Sequence, residues 1–170
     1  HFFKKFGYLY SQLTYDGYIR NKTGEQMLTS MQLNYISKRV HFARHTYFRQ
    51  LIKGKLNYGF YIPEERYFNL NDYNGIRGFY AAGLKGSKSI SVSFESDLFL
   101  DKKIALSKGM LYAFCDMGWL SKNGDQLLKE SIFQYGLGFG FRLRSVDLGL
   151  PYLDFQFAFY PRGKDYDTRN

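Results

Sequence analysis

Three residues have the types and placement to pair charge. Arg77 sits in a long loop, and Glu95 and Asp116 sit on the polar sides of two alternating segments that follow it. A guanidinium carries five N–H donors in a planar fork and suits two carboxylates at once. The chemistry on offer is a structural lock. Arg77 would pin its loop to a wall carrying Glu95 and Asp116, Gly78 would let the backbone approach that wall, and Phe79 would pack as an anchor. In a partly buried site, losing one partner of such a pair costs roughly 3–5 kcal/mol, because a charge is left uncompensated. The plainer alternative is two solvated carboxylates and a surface arginine. Other groupings offer less. His41 and His45 are four apart, which suits a metal on a helix, but their segment alternates as a strand, so two solvated or interfacial histidines are expected. Glu64-Glu65 reads as a solvated loop tip, and Asp16 and Asp147 as turn residues. No Ser-His-Asp grouping, P-loop or dinucleotide fingerprint occurs. The chain is therefore read as a non-enzyme, with no catalytic residue, metal site or cofactor.

The elements that must position these groups alternate with a period of two. From Ile90 to Leu98, the residues Ile90, Val92, Phe94 and Leu98 oppose Ser91, Ser93, Glu95 and Asp97. From Leu111 to Trp119, an outer set of Leu111, Ala113, Cys115, Met117 and Trp119 opposes Tyr112, Phe114, Asp116 and Gly118. Next, Tyr135, Leu137, Phe139, Phe141 and Leu143 oppose Gly136, Gly138, Gly140, Arg142 and Arg144. Finally, Leu153, Phe155, Phe157 and Phe159 oppose Asp154, Gln156, Ala158 and Tyr160. A soluble sandwich gives the same alternation. Strands of about ten residues, large continuous apolar faces, and charges deep on the polar faces favour a membrane barrel with a wet or plugged lumen. Trp119 at a strand end fits an interfacial aromatic girdle. The glycines at 136, 138 and 140 would leave the inner wall low and make room for the loop.

Before the loop, four strands are expected. They are Phe6 to about Ile19, Met27 to about Ser37 (with Met31, Leu33 and Tyr35 on one side), His41 to Ile52 (basic on both faces), and Leu56 to Ile62. In the last, Leu56, Tyr58, Phe60 and Ile62 oppose Lys55, Asn57, Gly59 and Tyr61. Asn21-Lys22-Thr23-Gly24 is a turn signal, and Pro63 ends the fourth strand. A loop of more than twenty residues, Pro63 to about Gly86, then holds Gly75, Gly78, Gly83 and Gly86 among Tyr73, Phe79 and Tyr80. Loops so long are uncommon unless functional or disordered, and disordered segments are poor in aromatics. An ordered loop packed on something is expected, with four strands on each side of it.

Composition agrees. Aromatics make up 20% of the chain, almost all Tyr and Phe, which suit strands. No apolar run approaches the ~18 residues of a membrane helix, which leaves a β-barrel open. The single Cys115 excludes an internal disulfide. The net charge of +9 is uneven, since residues 1–66 hold 11 Lys/Arg against 4 Asp/Glu. These cations are scattered through aromatic alternation and form no helical stripe, so nucleic acid is not the expected partner. A solvated lumen or an anionic membrane surface explains them as well.

The second half resembles the BamA/TamA-like outer-membrane assembly-factor superfamily, which also contains the two-partner secretion transporters. Ile76-Arg77-Gly78-Phe79 looks like the family's Val/Ile-Arg-Gly-Phe/Tyr motif, carried on a loop that folds back into the barrel. Ser91-Val92-Ser93-Phe94-Glu95 is similar to the following strand with its inward acid. Ala113-Phe114-Cys115-Asp116-Met117-Gly118 is similar to the next, with its Phe-x-Asp-x-Gly. The Gly-rich strand from Tyr135 to Arg144 and the strand ending Phe159-Tyr160-Pro161 resemble Bacteroidota versions of this surface-antigen-type barrel. The likeness covers residues 70–161 and is weaker before them.

The resemblance implies an all-β, antiparallel transmembrane β-barrel in the outer membrane of a Gram-negative bacterium. This chain would supply its C-terminal half, about eight strands of about sixteen, with a long inward-folding loop. It implies insertion of other outer-membrane proteins or export of a secreted partner, by templating a client strand at an exposed edge and without cofactor or covalent chemistry. The partners implied are outer-membrane lipids, client outer-membrane proteins or a secreted protein, and accessory assembly subunits. Arg77, Glu95 and Asp116, supported by Gly78 and Phe79, would hold the loop in its working position. The chain departs from the pattern in lacking upstream periplasmic modules and in its polar end, Asp165-Tyr166-Asp167-Thr168-Arg169-Asn170, where an aromatic closing strand is usual. With His1-Phe2-Phe3 at the start, it reads as a piece of a longer protein. A barrel that anchors an upstream enzyme domain, and a small closed pore of about eight strands, are the other readings.

Overall fold

A computed structural model of the chain describes residues 2–3, 6–20, 23–71, 75–79, 84–104, 107–121, 131–145 and 153–160. The strands are β1 (Phe2–Phe3), β2 (Gly7–Arg20), β3 (Thr23–Ile36), β4 (Val40–Ala43), β5 (Thr46–Phe60), β6 (Lys88–Ile104), β7 (Ser107–Ser121), β8 (Ile132–Ser145) and β9 (Leu153–Phe159). They form one antiparallel sheet in the order β1-β2-β3-β5-β6-β7-β8-β9, with β4 paired to β5 beside that path. Among the described residues β1 and β9 are edges, and the sheet is not closed. No helix there is long and apolar enough to cross a membrane, which says nothing of strands. The long strands run 14 to 17 residues because alternation continues without Pro or a charged break on the apolar side.

The region before the loop differs from expectation. His41–Ile52 and Leu56–Ile62 are not two strands. β5 is continuous through Gly54, and its register holds without a break against both β3 and β6. Gly54 faces open space, so its missing side chain leaves no packing gap that would interrupt pairing. The apparent basic character of both faces has a simple cause. The chain turns at Arg44-His45 between β4 and β5, so one alternating reading across 41–52 changes phase midway. Within β5 itself, Arg49, Lys53 and Lys55 fall on one face.

The end of β5 also departs. Tyr61 takes a positive φ of 51° and reverses the side-chain alternation. Ile62 therefore does not continue the Phe60 face. It is buried against Gly59, where an added Cβ would lie 2.2 Å from its Cδ1. Asp16 is a strand residue opposite Leu28, not a turn residue. Thr23 and Gly24 begin β3, so they too are not turn residues, while Asn21 and Lys22 lie outside the described residues. Also outside them are Tyr73, Tyr80, Gly83, Asp147, Pro161 and the polar end at 165–170.

In β6 to β8 the face that carries the polar side chains is the buried one. Ser89, Ser91, Glu95, Asp97, Asp116 and Gln134 are buried on one face, here called the loop face. On the opposite face, large side chains stand in the open, including Leu137, Phe139 at 54% exposure and Phe157 at 60%. They pair across strands instead of into a core, as Phe139 does with Phe157 at 5.5 Å and Phe141 with Phe155 at 5.9 Å. Trp119 lies on this face near the end of β7, 4.9 Å from Phe133.

The loop between β5 and β6 covers the loop face. It opens with an exposed 3₁₀ turn at Glu64–Arg66 and closes by pairing Phe68 with Gly86. Between these, Leu70, Ile76 and Phe79 form a small core with Leu120 of β7, bordered by Phe68, Leu84 and Tyr160. Of the aromatics that argued for order, Phe79 packs in this core, while Tyr73 and Tyr80 lie outside the described residues.

Candidate functional site

Register builds the floor of the site. Pairing of β6 with β7 sets Ser93 opposite Asp116, and Glu95 opposite Phe114. These four side chains share the loop face and make a square of one hydroxyl, two carboxylates and one ring. Arg77 lies across it. Its Nε donates to Asp116 Oδ2 at 2.9 Å and its Nη2 to Asp116 Oδ1 at 3.0 Å, a two-pronged grip on one carboxylate. Nη2 also donates to Ser93 Oγ at 3.1 Å, Nη1 donates to Glu95 Oε2, and the backbone N–H donates to Asp116 Oδ2 at 3.0 Å. Ser93 Oγ donates in turn to Asp116 Oδ1 at 2.5 Å. The guanidinium carbon stands 3.9 Å over the Phe114 ring. Arg77 therefore engages both acids, and Asp116 is fully buried beneath it.

Burial by itself would lower the pKa of Arg77. The hydrogen bonds and charges of Asp116 and Glu95 outweigh that and raise it above its ordinary value, so the cation is permanent.

The remaining residues of the motif shape the backbone. Gly78 has φ +69°, and a Cβ there would lie 2.3 Å from Tyr160 Oη. Both facts require glycine. Phe79 is buried and inclined to the Tyr160 ring at 5.9 Å. The glycines of β8 make less room for the loop than expected. Gly136 does face Ile76, and a Cβ there would lie 3.0 Å from its Cγ2. The spaces over Gly138 and Gly140 are taken by Phe114 and Tyr112 of the neighbouring strand, at 2.3 and 2.4 Å from a notional Cβ. The reason is that β7 places two large aromatics on the loop face beside a strand with none.

Sequence reasoning missed the wider network. Glu95 accepts a second arginine, Arg142, whose Nη1 donates to Oε1 at 2.9 Å. Arg142 Nε donates to Asp154 Oδ2 at 2.8 Å, and Tyr112 Oη donates to Asp154 Oδ1 at 2.7 Å. A separate pair joins Arg49 to the buried Asp97, with Nε at 3.0 Å and Nη2 at 2.5 Å. Tyr160 donates to the Arg77 carbonyl oxygen and so holds the motif from β9's end. The signal for Arg142 and Asp154 was their place on the polar faces, but only the Arg142–Asp154 register makes them neighbours. Tyr160→Phe is expected to cost about 1 kcal/mol, one hydrogen bond, in the denaturation midpoint of the folded protein. An unchanged midpoint would deny the tyrosine that role.

The other candidates stay apart. His41 packs edge-on against Tyr47 at 5.3 Å, and His45 offers its carbonyl to the Asp101 N–H at 2.8 Å. Among the described residues, no three His, Cys, Asp or Glu side chains gather as a metal site would need. Glu64 and Glu65 are exposed in the 3₁₀ turn. Comparison with protein-family models, curated proteins and solved structures returns no match.

Proposed function

We propose that this chain is part of a BamA/TamA-like β-barrel in the outer membrane of a Gram-negative bacterium, and that the protein inserts other outer-membrane proteins. One observation carries the reading. Arg77, on a long packed loop, grips Asp116 and Glu95 on a buried polar face, while the opposite face of the same strands is apolar and exposed. A soluble sandwich buries its apolar face. A sheet built the other way round fits a barrel with lipid outside and a plugged polar lumen. The lock needs no cofactor and performs no covalent step. Its role is to hold the loop while strand edges such as that of β9 pair with further strands, the protein's own or a client's.

The deciding experiment depletes the protein in its host and rescues it with wild type or with Arg77→Ala, while the outer-membrane proteome is quantified. A broad fall in barrel proteins, rescued by wild type alone, is the expected result. Loss of a single secreted partner would replace assembly with dedicated export. No change in either would sink both.

Cys115 tests the orientation. It is the only cysteine of the chain and lies on the apolar face between Phe94 and Leu137. In intact membranes it is expected to resist both a charged thiosulfonate and a maleimide, and to react once the protein is unfolded in denaturant. Rapid labelling by the charged reagent would put this face in water.

A further inference from the structure

The two ends of the sheet differ in charge. At the end carrying the β5–β6 loop, Arg66, Lys85 and Lys88 stand against Asp16, Glu64 and Glu65, a balance. The opposite end carries Lys38, Arg39 and Arg44 around β4 and Lys108 at the start of β7. Against these stands Asp101, already 3.3 Å from Lys108. Arg49 and Arg142 lie further in and are held by acids. No Asp or Glu occurs from residue 26 to residue 63, so β3, β4 and β5 beyond Glu25 supply nothing to neutralise the excess.

At that end β4 continues the line of β3 along the same side of β5 and turns into β5 at Arg44-His45. All four of its residues are exposed. Val40 is opposite Phe48, which stands opposite Leu98, so the apolar face of the sheet runs on into the hairpin. Phe42 is 72% exposed. Arg39 lies on the other side, 4.1 Å over the Phe99 ring. The hairpin thus sets apolar side chains beside a rim of cations, at the margin of the apolar face. That sequence of surfaces, apolar and then basic, matches acyl chains followed by anionic headgroups.

We propose that the β4–β5 hairpin is a docking surface for anionic phospholipid. Val40 and Phe42 enter the acyl boundary, and Lys38 and Arg44 meet the phosphates. The proposal rests on the membrane reading above and goes beyond it, because it assigns a preferred lipid and one leaflet. It also divides the basic half of the chain. Arg49, Lys53 and Lys55 belong to the loop face, and the residues around β4 belong to the headgroups.

The test uses the full chain in lipid nanodiscs with two reporters. Trp119 is its only tryptophan and lies on the apolar face near the opposite end. A Trp119→Phe/Phe42→Trp variant moves the reporter to the hairpin. Brominated phosphatidylglycerol and brominated phosphatidylcholine are compared as quenchers at equal mole fraction. The expected result is quenching at position 42 by both, stronger by about twofold or more for the glycerol lipid. That preference should vanish in high salt and in a Lys38→Gln/Arg44→Gln background, both residues being exposed. Equal quenching by the two lipids overturns the proposal. So does quenching of Trp119 with none at position 42, which would leave the hairpin for an acidic protein partner. If Trp119 is not quenched either, the membrane reading has failed as well, and the two failures are told apart.

Discussion

Arg77→Ala is expected to release the β5–β6 loop and to lower stability by roughly 3–5 kcal/mol, the cost of breaking a buried ion pair from one side. The magnitude follows from what remains. Asp116 is fully buried and loses two side-chain bonds from Arg77, and Glu95 keeps Arg142. The third bond to Asp116, from the backbone N–H of residue 77, survives only if the loop stays in place. The Leu70, Ile76 and Phe79 contacts and the Tyr160 hydrogen bond to the residue-77 carbonyl would have to hold it there over a charged floor. Limited proteolysis in the 63–86 segment and the denaturation midpoint measure the two consequences together. Arg77→Lys should recover little, because an ammonium cannot present two parallel N–H groups to Asp116 while reaching Glu95. Arg77→Met with Asp116→Asn removes charge from both sides and should cost less than Arg77→Ala alone. Equal costs would mean that the loop is held by packing and that the ions are incidental.

Gly138→Ala is expected to be strongly damaging as well. The added Cβ would meet Phe114 Cζ at 2.3 Å and the carbonyl oxygen of Phe157 at 2.4 Å. The ring can move, but the carbonyl belongs to the β8–β9 ladder, where Gly138 pairs with Ala158. Overpacking of this kind costs typically about 1–3 kcal/mol. Here it also presses Phe114 toward the guanidinium that it carries at 3.9 Å. Phe114→Leu in the same chain should relieve the ring contact but not the carbonyl contact, so partial recovery is the specific outcome. Hydrogen exchange of β9 amides reads the ladder, and the denaturation midpoint reads the whole. A neutral Gly138→Ala would show that β8 and β9 tolerate a wider spacing than they have.

Alternation determined the all-β class, both faces of β6, β7, β8 and β9, and the polar-side placement of Glu95 and Asp116, while Arg77 stood out through the Ile76-Arg77-Gly78-Phe79 stretch in its loop. A period of two is local, and each residue reports its own side. The aromatics between Pro63 and Gly86 likewise marked the loop as one that packs. Phase was lost where a local signal is silent, at the Arg44-His45 turn and at Tyr61. A side chain does not announce that the backbone has reversed beneath it. The tertiary structure decided everything that depends on register. It set Ser93 beside Asp116, brought Arg142 to Glu95 and Asp154, gave the space over Gly138 and Gly140 to Phe114 and Tyr112, and placed Tyr160 on the Arg77 carbonyl. Register is a relation between strands, fixed by the fit of all their pairs together, and no single stretch of sequence contains it.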